Sequence, residues 1–200
     1  SSHSIQNLKG LSNFSELTNL NISGNEVSDD SEIAYLTKLQ TLNFANNKLD
    51  NHYTSIEKLE VLANLDLSGN NIKDLNSLNN YLTNLTANRK TSKLTSLAVA
   101  NNQISDIQIL EGFSTLQTLN ISNNEIDDIS YISNNTSMNN LNISGNNIED
   151  ISVLSGLRSL KTLTMSNNII QNITPIANLS LTTLDFSGNL VEDITALQYQ

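Results

Sequence analysis

The chain has 200 residues, no cysteine, a net charge of −10 and only 4% aromatic residues. The absence of cysteine excludes disulfides, thiolate zinc sites and cysteine nucleophiles, and the excess of acid makes nucleic acid and anionic membrane surfaces unfavourable partners. No apolar run approaches the length of a membrane span, so we expect no membrane insertion.

One pattern, L-x-x-L-x-L-x-x-N-x-I, occurs eight times along the chain. It first occurs at residues 17–27 and last at residues 181–191. Its asparagines are Asn25, Asn47, Asn70, Asn102, Asn124, Asn146, Asn168 and Asn189. Their spacings are 22, 23, 32, 22, 22, 22 and 21 residues, and a period of 22 falls in the range of leucine-rich repeats.

Each copy of the repeat predicts the same two elements in the same order. The L-x-L segment alternates apolar and polar residues, which predicts a short strand with one face turned inward. Apolar residues then follow the asparagine at about +2, +5, +8 and +11, a spacing typical of short 3₁₀ or irregular turns. Stacked copies would bury one continuous core. We therefore predict an α/β repeat fold, a solenoid of about eight full repeats spanning residues 1–200 as a single domain. Its concave side would be a parallel β-sheet and its convex side would be built from the short turns.

The repeated asparagine is interpreted as a structural residue. Its side chain offers two donors and two acceptor sites, so at a tight turn it can satisfy backbone groups of its own repeat and of the next. The eight asparagines then form a ladder rather than a binding site.

A second polar column lies four residues after each asparagine. Its members are Asp29, Asn51, Asp74, Asp106, Asp128, Asp150, Asn172 and Asp193. Asp and Asn cap turns, and capping is the interpretation that we favour. The alternative, a calcium ladder, is weak because no D-x-[DN]-x-[DN]-G loop is present. We expect no metal and no other cofactor.

The repeat unit N-x-I-x-D-I-x-x-L, which residues 102–110 and 146–154 match best, resembles the repeats of bacterial internalins. It equally resembles those of the nuclear regulatory subunit of protein phosphatase 1. The resemblance covers about residues 5–197. It implies a right-handed solenoid and a protein-binding role, most often through the concave face. Internalin repeats usually carry a proline after D-I-(S/T), and here only Pro175 keeps it.

The predicted concave positions carry neither Trp, Tyr nor Arg, the residues that dominate interface hot spots. Either affinity there is weak, or the contacts are mainly hydrogen bonds, or the binding surface lies elsewhere. The candidate contacts on that face are Asn120, Asn142, Lys161 and Thr164.

The 32-residue interval is the second candidate surface, because it inserts about ten residues. Insertions in repeat arrays map to loops, which are often functional. The inserted segment 86–93 carries Arg89, Lys90 and Lys93, and Tyr81 lies just before it. We expect these four residues to contact a partner. The alternative is a tolerated surface loop, since long loops cost little entropy.

No catalytic motif is present, and His52 is interpreted as a partly buried substitution in a slot where other copies hold Leu or Ile. The function that we predict is a non-catalytic protein–protein interaction module of a larger, bacterial surface or secreted protein, since the chain begins and ends in mid-repeat. The alternative is an intracellular scaffold or a phosphatase-regulator-like subunit. Frequent Asn-x-Ser/Thr sequons, three of them on predicted concave strands, disfavour a eukaryotic secreted protein.

Overall fold

The computed structural model describes residues 4–198. Eight short strands form one parallel sheet in which spatial order follows chain order. The strands are β1 Asn19–Asn21, β2 Thr41–Asn43, β3 Asn64–Asp66, β4 Ser96–Ala98, β5 Thr118–Asn120, β6 Asn140–Asn142, β7 Thr162–Thr164 and β8 Thr183–Asp185.

The register of the sheet places the same repeat position side by side on every strand. Leu97 of β4, for example, pairs with Leu65 of β3 and with Leu119 of β5. From β2 to β7 this central leucine is buried. Each fully buried leucine contributes about 1.5–3 kcal/mol relative to an exposed one. A one-residue slip of any strand would turn its leucine outward and lose that contribution.

Six of the seven connections between strands, the segment before β1 and the segment after β8 each contain a short 3₁₀ helix. These helices are η1 Leu11–Asn13, η2 Ser31–Tyr35, η3 Ser55–Lys58, η4 Gln108–Gly112, η5 Ser130–Ile132, η6 Ser152–Gly156, η7 Thr174–Ile176 and η8 Thr195–Leu197. Apolar residues spaced by three suit this geometry, because i and i+3 eclipse in a 3₁₀ helix. The predicted fold class, a leucine-rich-repeat solenoid with a parallel sheet and short turns, is confirmed.

The long interval between Asn70 and Asn102 contains a helix that we did not predict, and of the expected loop 86–93 only residues 88–93 lie outside that helix. Residues Asn76–Ala87 form an α-helix, α1, in the place that a 3₁₀ helix occupies in the other repeats, packed between η3 and η4. Leu78, Tyr81 and Leu85 are buried. With the half-buried Leu82 they follow the i, i+3, i+4, i+7 spacing of an amphipathic helix.

Helix α1 ends in the hydrogen-bonding pattern of a Schellman motif. The amide of Arg89 donates to Thr86 O at 3.0 Å, and the amide of Lys90 donates to Leu85 O at 2.8 Å. This motif requires the left-handed conformation that glycine usually supplies. Arg89 adopts this conformation with φ 54°. Its backbone is therefore strained at the turn that begins the segment leading back to β4.

The second repeat has one residue more than the others, and this changes the place of His52. Tyr53 fills the core position and is buried, while the side chain of His52 is exposed. The interpretation of His52 as a partly buried substitution is therefore wrong. Its amide and ring instead contact the carboxylate of Asp50, at 2.9 and 3.1 Å.

Candidate binding surfaces

The repeated asparagine of each copy bonds to two repeats at once, as Asn124 illustrates. Its Oδ1 accepts the amide of Ile104, in the preceding repeat, at 3.0 Å. Its Nδ2 donates to Val99 O of the preceding repeat and to Ile121 O of its own repeat, both at 3.0 Å. The side chain is thus engaged in backbone contacts, and nothing in this geometry leaves it available to a ligand.

The column four residues further on caps the turns. Asp106, Asp128 and Asp150 accept the amide two residues later at 2.7, 2.8 and 2.8 Å. Asn51 departs from the expectation, because the extra residue of its repeat moves it. It accepts the amide of Lys73 instead, at 2.7 Å. Among residues 4–198, no group of three or more His, Asp or Glu side chains could hold a metal ion.

The exposed side chains of the strands, together with the residue before each strand, form what we call the strand face. Three of the predicted contacts lie side by side there, because Asn120 pairs with Asn142 and Asn142 with Thr164 in the sheet register. Lys161 lies immediately before β7 and donates from Nζ to Ser180 O at 3.2 Å. The structure therefore brings these four candidates into one patch over β5–β7.

The amides of that patch are oriented by their own backbone. The Oδ1 atoms of Asn120 and Asn142 accept the amides of Ser122 and Ser144, each at 3.1 Å. The same turn fixes Asn43 on β2. Because the oxygen is engaged, the amide nitrogen is the group left to face outward as a donor. The strand face consequently presents oriented donors that suit carbonyl or carboxylate acceptors.

The four candidates around the insertion do not form one surface. Tyr81 is 1% exposed and stacks on Phe113 with ring centroids 6.1 Å apart and an interplanar angle of 3°. Tyr81 was therefore predicted wrongly as a contact residue, because it lies on the buried face of α1. Burial also raises the pKa of its hydroxyl.

The three cations of the insertion are exposed but are not equally free. Lys90 forms a salt bridge with Glu60, whose carboxylate also accepts from Asn88. None of the salt bridges within residues 4–198 involves Arg89 or Lys93. The local positive field is weaker than three adjacent cations suggested, since one of them is paired.

A third surface was not foreseen from the sequence. A groove of about 1430 Å³ lies beside the turns η5 and η6, with Tyr131, Val153 and Ile169 among its lining residues. Ile169 is 44% exposed. The sequence signal was an apolar residue directly after a repeated asparagine, where the preceding copies have Glu125 and Asn147.

Within residues 4–198, no helix combines the length and apolarity that crossing a membrane requires.

Comparisons with known proteins agree with this architecture. A family model described as leucine-rich repeats, in two copies, matches residues 92–135 and 136–178. No curated protein matches the sequence at a significant level.

Similar solved structures include two internalins of Listeria monocytogenes. Internalin C2 superimposes with a TM-score of 0.82 at 27% identity, covering 91% of this chain and 76% of that one. The internalin InlF gives a TM-score of 0.75 at 27% identity, over 97% and 68% of the two chains. A plant peptide hormone receptor, RGFR1 in complex with RGF2, gives a TM-score of 0.67 at 23% identity, over 93% and 34%. The chain thus folds as a leucine-rich-repeat solenoid, which is similar to those of the Listeria internalins.

Proposed function

We propose that the chain is a non-catalytic module that binds another protein through its strand face. The observation that carries the proposal is the row of hydrogen-bonding side chains over β5–β7, where Asn120, Asn142 and Thr164 lie side by side. Turns orient the amide donors of Asn120 and Asn142. Such a surface has no pocket chemistry, but it matches the polar edge of an extended chain or a flat protein surface. The solved complex of the plant receptor RGFR1 with RGF2 supports a recognition role for solenoids of this kind.

We further propose that the module belongs to a larger bacterial surface or secreted protein. The similarity to the Listeria internalins supports this placement, and a chain without cysteine is compatible with it. The full-length gene separates this placement from an intracellular scaffold. A signal peptide with a cell-wall anchor supports the first, and their absence supports the second.

A pair of substitutions that introduces negative charge on the strand face tests the binding proposal without disturbing the fold. Asp66 and Asp185 hold the same column and accept the amide two residues later, at 2.9 and 3.0 Å. Asn120→Asp with Asn142→Asp therefore keeps the turn and replaces two outward donors with carboxylate oxygens. The matched control is Asn21→Asp with Asn43→Asp, which makes the same change on β1 and β2.

The measurement is calorimetric titration of the partner that affinity capture identifies. We expect the change on β5 and β6 to weaken binding at least about tenfold, since removing a donor leaves the partner's acceptor unpaired and opposes it with like charge. Unchanged affinity in both pairs would remove the strand face as the binding surface.

A further inference from the structure

The groove beside η5 and η6 combines an apolar floor with a rim of one charge. Its apolar lining residues are Tyr131, Val153 and Ile169. Tyr131 and Val153 are each the second residue of a 3₁₀ helix and pack partly against the core. We call this site the acidic groove, because five carboxylates also line it.

The exposed Ile169 is not needed by the fold. Its position, directly after the ladder asparagine, is polar in the two preceding copies, where Glu125 and Asn147 stand and are exposed. The backbone at Ile169 follows the usual repeat, since its amide donates to Ile148 O at 3.1 Å, as the amides of Glu125 and Asn147 donate to the equivalent carbonyls. An isoleucine that is 44% exposed at a position that tolerates polar residues leaves apolar surface for a ligand to cover.

The charged residues on the rim of the groove are all acidic. Five carboxylates line it, and neither Lys nor Arg is among its lining residues. These carboxylates are Asp106, Asp127, Asp128, Glu149 and Asp150.

Three of the five are held in place, because Asp106, Asp128 and Asp150 cap the turns. Hydrogen bonds from the hydroxyl and the amide of Ser152 also keep the pKa of Asp150 below its usual range, so that it is ionised at neutral pH.

We propose that the acidic groove binds a basic segment of another protein in which Lys or Arg residues alternate with large apolar residues. Charge complementarity selects the cations, and the floor of Tyr131, Val153 and Ile169 selects the apolar side chains between them. A second copy of this chain is a poor occupant, because each copy carries a net charge of −10. The inference concerns a different surface from the strand face and does not rest on the function proposed above.

The test uses fluorescence anisotropy with a short labelled peptide of alternating Lys and Leu. We expect it to bind the unmodified chain, whereas a Lys-Ser peptide binds more weakly and a Glu-Leu peptide does not bind. Ile169→Asn should weaken the Lys-Leu peptide about tenfold. Melting should stay unchanged, because asparagine already stands at the equivalent position 147.

A second variant isolates the charge. Asp127→Asn with Glu149→Gln removes two rim carboxylates that have no capping bond among the described hydrogen bonds. We expect it to weaken the Lys-Leu peptide and to flatten the salt dependence of binding. The matched control, Glu111→Gln with Glu192→Gln, removes two charges that do not line the groove and should bind as the unmodified chain does.

Three results would overturn the proposal. The first is that the Lys-Leu peptide does not bind. The second is that the Lys-Leu and Lys-Ser peptides bind equally and Ile169→Asn changes neither affinity. The third is that the groove pair and the control pair of charge variants lose the same amount of affinity. Sedimentation showing that the chain self-associates through this face, with the groove variants monomeric, would assign it to a second copy and would equally overturn it.

Discussion

Replacing Asn124 by alanine tests the physical basis of the ladder. The change removes Oδ1, which is the acceptor for the amide of Ile104 at 3.0 Å. Ile104 is 0% exposed, so its amide lies in the core and loses its acceptor there. Leaving a buried donor unpaired costs about 1–3 kcal/mol.

The carbonyls that Asn124 serves lose less, because each keeps a second donor. Val99 O retains the side chain of Asn102, and Ile121 O retains the side chain of Asn146. We therefore expect the loss of one amide partner to dominate, and the total to remain at about 1–3 kcal/mol. In a chain of this length that is a fall of about 2–4 °C in melting temperature per kcal/mol.

The control is the neighbouring Asn123, whose side chain is exposed and donates to Asn101 Oδ1 at 3.0 Å. Its φ of 54° is left-handed, so alanine would add backbone strain, whereas glycine would not. Gly145 adopts the same conformation one repeat later, with φ 66°. Asn123→Gly should therefore change stability by less than about 0.5 kcal/mol. Equal urea midpoints for Asn124→Ala and Asn123→Gly would refute the ladder assignment.

Three further predictions concern stability. Asn135 is 0% exposed with no partner for Oδ1, so the near-isosteric Asn135→Leu should raise the free energy of unfolding by about 1–3 kcal/mol in urea titrations; a decrease would contradict this. Burial raises the pKa of Asp30 above its ordinary 3.8, so its protonation favours the folded state. The stability of the unmodified chain relative to Asp30→Asn should therefore rise as the pH falls through that raised pKa towards 3.8, and a constant difference from neutral to acid pH would show that Asp30 does not titrate as described. Finally, neither chelator nor millimolar calcium should change the melting temperature, because a ligand specific for the native state would raise it; a rise of several degrees with calcium would establish a site.

The parts of the fold that could be predicted are those whose sequence pattern recurs in every repeat. The strand, the ladder asparagine and the turn cap recur in a fixed order, so eight copies of one weak local signal give a strong global one. The strand-face patch followed from the same reasoning. Asn120, Asn142 and Thr164 occupy one repeat position, and a parallel register must place that position on adjacent strands.

Departures from the repeat were harder to interpret. Residues 76–87 carry a helical spacing of apolar residues and contain neither Gly nor Pro, so the helix could have been recognised had the interval not been treated as a loop. The exposed His52 depends on where a single extra residue is accommodated. Either of two adjacent aromatic rings could have filled the core position, and only packing shows that Tyr53 does.

The acidic groove could not be predicted from spacing alone. Only Asp106, Asp128 and Asp150 were recognised as turn caps. Tyr131 and Val153 stand outside the regular apolar positions of the repeat and pack only partly against the core. These side chains line a groove because of how consecutive turns are placed relative to one another, and that placement depends on how tightly neighbouring repeats stack.

Site-specific photocrosslinking to the captured partner tests the central claim, that the strand face binds protein, most directly. A benzophenone side chain is introduced singly at Asn142 on the strand face, at Lys93 in the inserted segment 86–93, and at Glu111 on η4. We predict a crosslink from position 142 and none from position 111. A crosslink from position 93 with none from position 142 would contradict the claim and would assign binding to the insertion.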